Sequence, residues 1–301
     1  MDIFESAKQI NGACAVALGT FDGLHIGHMR LIRDVSDYAK ASNILSCVFT
    51  FSQMKEKHIT DNNSRIKILQ NSDIDILIME NFTDAFKNLS PYEFLSEYIV
   101  DKLNAKMITV GFNYRYGKDA LGDIYTLKEF CEEKNIKLNI IKPILWNNDV
   151  VSSTRIKNCI QNGDIEAANE MLGRNFSISH TVCHGDKIGR TIDFPTANIK
   201  IEKSQIVPAD GVYATVTKIG NKSFYSITNC GGKPTVKENS YSIETHILNF
   251  DDEIYDNEIE ITFYKRLRSI SKFNSLEHLK KQLEADKTNA LNFFSENGLQ
   301  I

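Results

Sequence analysis

Apolar positions in the first half of the chain come in short, β-branched runs separated by longer amphipathic stretches. The runs CAVAL, ILSCVFTF, DILIM, MITVGF and NIIKPIL read as buried strands, and HMRLIRDVSDYAKASN and PYEFLSEYIVDKLN as helices. Strand and helix in alternation predict an α/β domain, a parallel sheet with helices on both faces, whose ligands sit at the carboxyl ends of the strands. After about Phe176 the period drops to two: SISHTVCHG, GVYATVTKI, KSFYSIT, YSIETHILNF and EIEITFYKRL alternate apolar and polar residues, with turn formers at Gly220-Asn221 and Asp251-Asp252. Such segments pair as antiparallel hairpins, and about five of them predict a small antiparallel β-barrel. The chain closes on a helix that Asn274 can cap, with Glu277 reaching back and Leu276, Leu279 and Leu283 on one face to cover or plug the barrel. Between the halves, SSTRIKNCIQNGDIEAANEMLGRN predicts a helix opened by Ser152 or Ser153 and stopped at Gly163, then a second running to Gly173. The boundary is placed near Arg174, which gives domains 1–174 and 175–301.

The 301 residues suit two domains of ordinary size, and 42% hydrophobic with 25% charged residues is a globular composition. A net charge of −4 offers no basic stripe for a nucleic-acid backbone, so the expected partners are small molecules. Neither a signal peptide nor a membrane-length apolar run is expected from the pattern, which makes a cytoplasmic protein without membrane partners the expectation. The six cysteines, Cys14, Cys47, Cys131, Cys159, Cys183 and Cys230, form no C-x-x-C pair and read as reduced, mostly buried thiols. No obligate protein partner is implied.

The chemistry concentrates where the first strand turns into the first helix, at GTFDGLHIGH, Gly19 to His28. A glycine-bearing turn into a helix start offers backbone N–H groups and the positive end of the helix dipole, an anion site in outline. His25 and His28, three apart, share a face of the first turn, and Gly27 between them lets a ligand approach the backbone. Two imidazoles there can donate to phosphoryl oxygens and stabilise the charge of a pentacoordinate phosphorus. The plainer alternative is a helix cap beside a solvated histidine; zinc is disfavoured because the segment holds no third ligand. Ser153, Thr154 and Arg155 at a later helix start make a second set of phosphate donors, with an N-cap and solvated arginine as the alternative. Asn113 and Arg115, in the loop after MITV, are further candidates.

In the second half, HGDKIGRTIDFPTANI carries Gly185, Gly189 and Arg190 on a tight loop suited to phosphates. Pro195 then stiffens the chain before Thr196 and Asn198, whose oxygens, two residues apart on an extended segment, point to one side and suit a magnesium ion carried by ATP. A plain strand or turn is the alternative.

The H-x-G-H string resembles the signature of nucleotidyltransferases, and the wider GTFDGLHIGH resembles the first motif of the bacterial bifunctional riboflavin kinase/FAD synthetase family. GFNYRYGKDALGD, VSSTRI and MLGR are similar to three further blocks of its first half, and GR-x-x-x-x-PTAN, NCGGKPT and IETHILNFDDEIYDNEIEITFYKRLR to those of its kinase half. The motifs run in order from about residue 12 to residue 294. The resemblance implies a Rossmann-like nucleotidyltransferase domain followed by a riboflavin kinase-like barrel with a terminal helix. It implies two reactions, phosphorylation of riboflavin by ATP with Mg2+ to give FMN, and adenylylation of FMN by a second ATP to give FAD and pyrophosphate. It assigns catalysis to His25, His28 and Glu244, the last as base toward the ribityl hydroxyl. Nucleotide binding falls to Gly19, Phe21, Gly27, Ser153, Thr154 and Arg155 in one site and Gly185, Gly189 and Arg190 in the other. Flavin binding falls to Asn113, Arg115 and Arg268, and metal binding to Thr196 and Asn198. The chain departs from the family pattern at Asp193, Ile270, Asp256, near His180 and at FSQMK, which lacks two prolines. Asp193 and Ile270 keep a second reading open, an FMN adenylyltransferase whose barrel binds flavin with weak or no kinase activity; a non-catalytic flavin-binding module is the third.

Overall fold

The structure, a computed structural model, describes residues 1–53, 57–184, 194–232 and 241–301. Its contacts divide the chain into two compact units, Met1–Ser152 and Ser153–Ile301.

The first unit runs β1 (Asp2–Phe4), β2 (Cys14–Leu18), α1 (Ile26–Ser42), β3 (Leu45–Phe51), α2 (Asn62–Gln70), β4 (Ile76–Glu80), α3 (Asp84–Lys87) and α4 (Pro91–Glu93). A π-helical segment, Phe94–Lys102, follows, then β5 (Ala105–Gly111), α5 (Ile124–Lys134), β6 (Lys137–Ile141) and a short hairpin of β7 (Leu145–Trp146) and β8 (Asp149–Val150). All six strands of the main sheet are parallel, in the order β1-β4-β3-β2-β5-β6. From β2 the chain moves outward through β3 and β4, then returns to β2's other side for β5 and β6. The order reverses at β2, so the loops after β2 and β5 meet at a switch point, where open α/β sheets bind ligands. Every residue of β2 and of β4 is buried, which explains why both strands read as continuous apolar runs rather than alternating ones.

The second unit begins with α6 (Ser153–Asn162) and α7 (Ile165–Leu172), separated by Gly163 at φ +83 and closed by Gly173 in the left-handed region. Both helices, counted with the first half by the sequence pattern, pack here. The Asn169 amide donates to the Phe263 carbonyl and accepts from the Phe176 N–H. The strands β9 (Phe176–Cys183), β10 (Ala197–Lys200), β11 (Gly211–Ile219), β12 (Lys222–Gly232), β13 (Tyr241–Ile247) and β14 (Glu258–Arg268) form a closed barrel, β10-β13-β12-β11-β14-β9, antiparallel throughout. The sixth strand, β10, is the PTAN segment, too short to show alternation of its own.

Inward positions of the barrel hold Ile178, Tyr213, Ile243, Ile261 and Phe263, together with the hydroxyls of Thr215, Thr217, Ser226, Thr228 and Thr245, all fully buried. Those five hydroxyls bond to one another, Thr215 to Ser226 at 2.8 Å and to Thr228 at 2.7 Å among them, so each polar group is paired inside the barrel. The terminal helix α8 (Leu276–Glu296) is capped by Ser275, whose hydroxyl accepts from the His278 N–H at 3.2 Å, and not by Asn274. Its buried face is Asp286, Ala290 and Phe294, while Leu276 is exposed. The helix covers the outer wall at Val212, Ala214, Val216 and Ile227 and does not plug the barrel.

Candidate functional site

The turn from β2 into α1 is held in an unusual backbone. Phe21 (φ 50), Gly23 (φ 81) and Leu24 (φ 42) all lie in the left-handed region, costly for the two bulky residues. It is fixed from outside: the Gly19 N–H donates to the Phe49 carbonyl, the Thr50 hydroxyl to the Thr20 carbonyl at 2.9 Å, and the buried Asp22 carboxylate accepts from the Ile59 N–H at 2.8 Å. The turn delivers His25 to the N-cap of α1, where its Nδ1 accepts from the His28 N–H at 3.3 Å. An accepting Nδ1 places the ring proton on Nε2. The two imidazoles stack with centroids 3.6 Å apart at 16°, and the buried Phe21 ring meets His28 edge-on. A Cβ at residue 27 would lie 3.1 Å from the His25 ring, so Gly27 makes room for the stacked pair itself. Of the expected residues, Gly19, Phe21, His25, Gly27 and His28 are thus brought together; the cap reading of His25 and the phosphate reading are compatible, since capping uses only Nδ1.

Aromatic rings gather from β3, the segments after β4 and β5, α3 and the π-helical segment. Phe49, Phe51, Phe82, Phe86, Phe94 and Tyr98 contact one another at centroid distances of 5.1 to 6.4 Å, and Tyr114 stacks on Tyr116 at 5.5 Å. Phe51, Phe82, Tyr98 and Tyr114 remain partly exposed. In the loop after β5, Asn113 and Arg115 are exposed, and Arg115 lies 3.6 Å from Asp123, which caps α5. Beneath the β2–α1 turn sits Arg65 of α2, wholly buried. Burial pushes its guanidinium down to about 10, against the upward pull of Asp22 and Asp61.

On the barrel, register decides which side chains meet. Asn198 of β10 lies directly opposite Glu244 of β13, and Glu244 lies opposite Asn229 of β12. Inward positions alternate with these, so the three stand in one row on the outer face. Asn198 is buried, whereas Thr196, just before β10, is exposed. His246, two residues after Glu244 on the same face, bonds through Nδ1 to the Pro195 carbonyl at 2.8 Å and packs on Phe194. Burial pushes its imidazole below the ordinary value, and the bond to Pro195 opposes this. Arg268 at the end of β14 turns toward α8. Its Nε and Nη2 donate to the Asp286 carboxylate at 2.7 to 3.1 Å, and Nη1 donates to the Ser269 carbonyl. Ser153, Thr154 and Arg155 open α6 in the second unit. Gly185, Gly189, Arg190 and Asp193 lie outside the described residues. No group of three or more His, Cys, Asp or Glu among the described residues is placed to hold a metal ion.

Two family models match the chain: FAD synthetase over residues 7–155 and riboflavin kinase over residues 172–294. A bifunctional riboflavin kinase/FMN adenylyltransferase from Buchnera aphidicola subsp. Schizaphis graminum is 36% identical over 93% of both chains. The chain belongs to the bacterial riboflavin kinase/FMN adenylyltransferase family. The family member from Bacillus subtilis (strain 168) is 35% identical over 96% of this chain and 95% of its own. A crystal structure described as a macrolide-efflux protein from Streptococcus pneumoniae superposes with a TM-score of 0.87 at 28% identity, over 97% of this chain and 98% of that one. That fold is shared from end to end, and among the described residues no helix is long and apolar enough to cross a membrane. Within this family member, the FAD synthetase match ends inside the first turn of α6 and the riboflavin kinase match starts at the last residue of α7, leaving most of the helix pair between the two.

Sequence motifs do not single out Arg65, Asp286 or the aromatic rings, and they contain Asn229 and His246 without assigning either a role. The first two look like ordinary charges on helices, and only tertiary packing buries them. The pairing of Asn229 with Glu244 is set by strand register, which no single segment displays.

Proposed function

We propose that the chain makes FAD from riboflavin in two ATP-dependent steps, one for each motif set, with residues 1–174 serving adenylyl transfer and 175–301 phosphorylation. The observation that carries this reading is the presence of both a stacked histidine pair at the switch point of a parallel sheet and the row Asn198, Glu244, Asn229 on a closed barrel.

In phosphorylation, Glu244 takes the proton of the ribityl 5′-hydroxyl as that oxygen attacks the γ-phosphorus, and the bond to the β-phosphate oxygen breaks to release ADP. Magnesium arrives with ATP and neutralises charge on its phosphates. The buried amide of Asn198 and the hydroxyl of Thr196 are hard oxygen donors, the kind suited to an ion that keeps most of its water and phosphate ligands. His246 ties down Pro195 and so orients the segment that bears both. Gly185, Gly189 and Arg190 would face the phosphates by motif. Arg268, oriented by Asp286, binds flavin in this reading.

In adenylyl transfer, an FMN phosphate oxygen attacks the α-phosphorus of ATP and the bond to the β-phosphate oxygen breaks, releasing pyrophosphate. No protein nucleophile is needed; catalysis is positioning and charge stabilisation by His25, His28 and the start of α1. The motif of Ser153, Thr154 and Arg155 implies a phosphate-binding role for those residues. The partly exposed rings of Phe51 and Phe82, in contact at the carboxyl end of β3 and just past that of β4, offer the isoalloxazine an apolar wall. Asn113 and Arg115 serve the flavin phosphate side. The protein works in the cytoplasm on small molecules.

The test supplies purified chain with riboflavin, ATP and magnesium, and separately with FMN. FMN and FAD both accumulate in the first mixture if the reading holds. FAD formed only from added FMN would instead favour an adenylyltransferase with a flavin-binding barrel, and neither product with retained flavin binding would favour a binding module.

A further inference from the structure

Arg65 is the largest side chain in the structure with essentially no exposure, and a guanidinium has no place in a parallel-sheet core unless its position is used. Its donors reach two elements, β3 and its own helix α2. Nη1 reaches the Phe51 carbonyl at 2.8 Å and the Asn62 amide oxygen at 3.2 Å, and Nη2 reaches the Thr50 hydroxyl at 2.6 Å. Thr50, also fully buried, donates its own hydroxyl to the Thr20 carbonyl at 2.9 Å. Arginine N–H to threonine oxygen to backbone carbonyl forms a chain of donors, each bond polarising the next. Thr20 is the residue from which the left-handed run at Phe21, Gly23 and Leu24 begins, and that run ends on His25. The carboxylate of Asp22, within the same run, lies in the field of the guanidinium and holds the Ile59 N–H at 2.8 Å. A backbone with two bulky residues at positive φ persists only where its surroundings over-determine it.

We infer that the Arg65–Thr50 relay is a positioning device for adenylyl transfer, clamping the strained β2–α1 turn so that His25 and His28 are stacked and aimed before nucleotide arrives. This rests on the reading of the histidine pair as the adenylyl-transfer centre. Neither Arg65 nor Thr50 touches substrate; they act through the turn. Lysine cannot replace the arginine, because its three donors radiate from one atom and cannot span Phe51, Asn62 and Thr50 together.

The decisive variants are Thr50→Val, which keeps the shape and deletes the hydroxyl, and Thr50→Ser, which keeps the hydroxyl. Measured on the full chain well below its unfolding temperature, Thr50→Val lowers kcat for FAD formation from FMN and ATP by about 10- to 100-fold, the scale expected of a sub-ångström to 1 Å misplacement. The KM for ATP stays within about threefold of wild type, and Thr50→Ser returns kcat to near wild type, if the hydroxyl itself is what matters. Riboflavin phosphorylation stays unchanged in both, and the fluorescence of Trp146, which lies in the same unit as Thr50, reports on folding. Arg65→Lys reproduces the Thr50→Val loss and serves in its place should that variant fail to fold. Full kcat in Thr50→Val with only a lower melting temperature overturns the inference, as does an equal loss in Thr50→Ser. Histidine-ring NMR of the same variants reads the clamp without activity: the His25 and His28 signals shift in Thr50→Val and not in Thr50→Ser, and unshifted signals overturn the inference. Should wild type form no FAD while those signals shift, the clamp stands and the adenylyl-transfer reading falls.

Discussion

Replacing Asp286 by alanine removes the carboxylate that pairs with Arg268 and should unfold the barrel unit more easily by a calculable amount. The Asp286 side chain is 1% exposed and that of Arg268 is 21% exposed. The carboxylate accepts from Arg268 Nε and Nη2 at 2.7 to 3.1 Å and from the Gln282 amide at 2.9 Å. Removing one member of a buried pair costs about 3–5 kcal/mol because the other charge is left uncompensated. Arg268 keeps some water access and its bond to the Ser269 carbonyl, which places the expected loss near the low end, about 3 kcal/mol. With a urea slope of ~2 kcal/mol/M for a unit of this size, the midpoint drops by roughly 1.5 M. Asp286→Asn keeps one acceptor oxygen and loses about half as much. Far-UV circular dichroism follows both units, and the fluorescence of Trp146, the single tryptophan, reports on the first unit alone, so the transition seen by dichroism and not by fluorescence belongs to the barrel unit. A midpoint within about 0.3 M of wild type in Asp286→Ala would refute the view that this pair is a buried, uncompensable anchor.

His28→Ala should abolish FAD formation from FMN and leave riboflavin phosphorylation nearly intact, whereas Glu244→Ala or Asn198→Ala should do the reverse; paired product assays by chromatography check both, and loss of both activities from one change in a folded protein counts against separate centres. Gly117→Ala should destabilise the first unit by about 2 kcal/mol or more, because a Cβ there would lie 2.7 Å from the Pro91 backbone at a φ of +70, and a urea melt followed by Trp146 measures it. The neutral form of His246 is favoured in the folded protein, so the unfolded chain binds its proton first. Its contribution is fully present above the ordinary value of 6.5 and lost as pH falls, and melting temperatures between pH 7.5 and 5 should decline less steeply in His246→Gln.

Most of the fold is legible in the sequence because each strand's burial leaves its own local mark. β2 through β6 show as continuous apolar runs and β11 through β14 as period-two runs. β10 escapes pattern because four residues are too few to establish a period, and only its pairing with β13 makes it a strand. The α8 cap shifts from Asn274 to Ser275 because either residue suits the role and packing chooses between them. His25 and His28 are visible as a pair, but their stacking and the shared use of Gly27 are products of the turn's backbone, which composition does not encode. The relay through Arg65 is illegible for a deeper reason: a guanidinium in a polar stretch such as DNNSRIK looks solvated until β3 and α2 close over it.

Closure of the barrel has a consequence for how the protein is born. The seam joins β9 to β14, the earliest strand to the latest, whereas the parallel sheet has all its ladder partners once β6 has left the ribosome. At ordinary translation rates the stretch from β9 to β14 takes on the order of ten seconds to emerge, and throughout that interval the nascent half-barrel carries an unsatisfied seam. Chaperone demand and co-translational mispairing should therefore concentrate in that window, and a stall before Arg268 should be far more damaging than one after it.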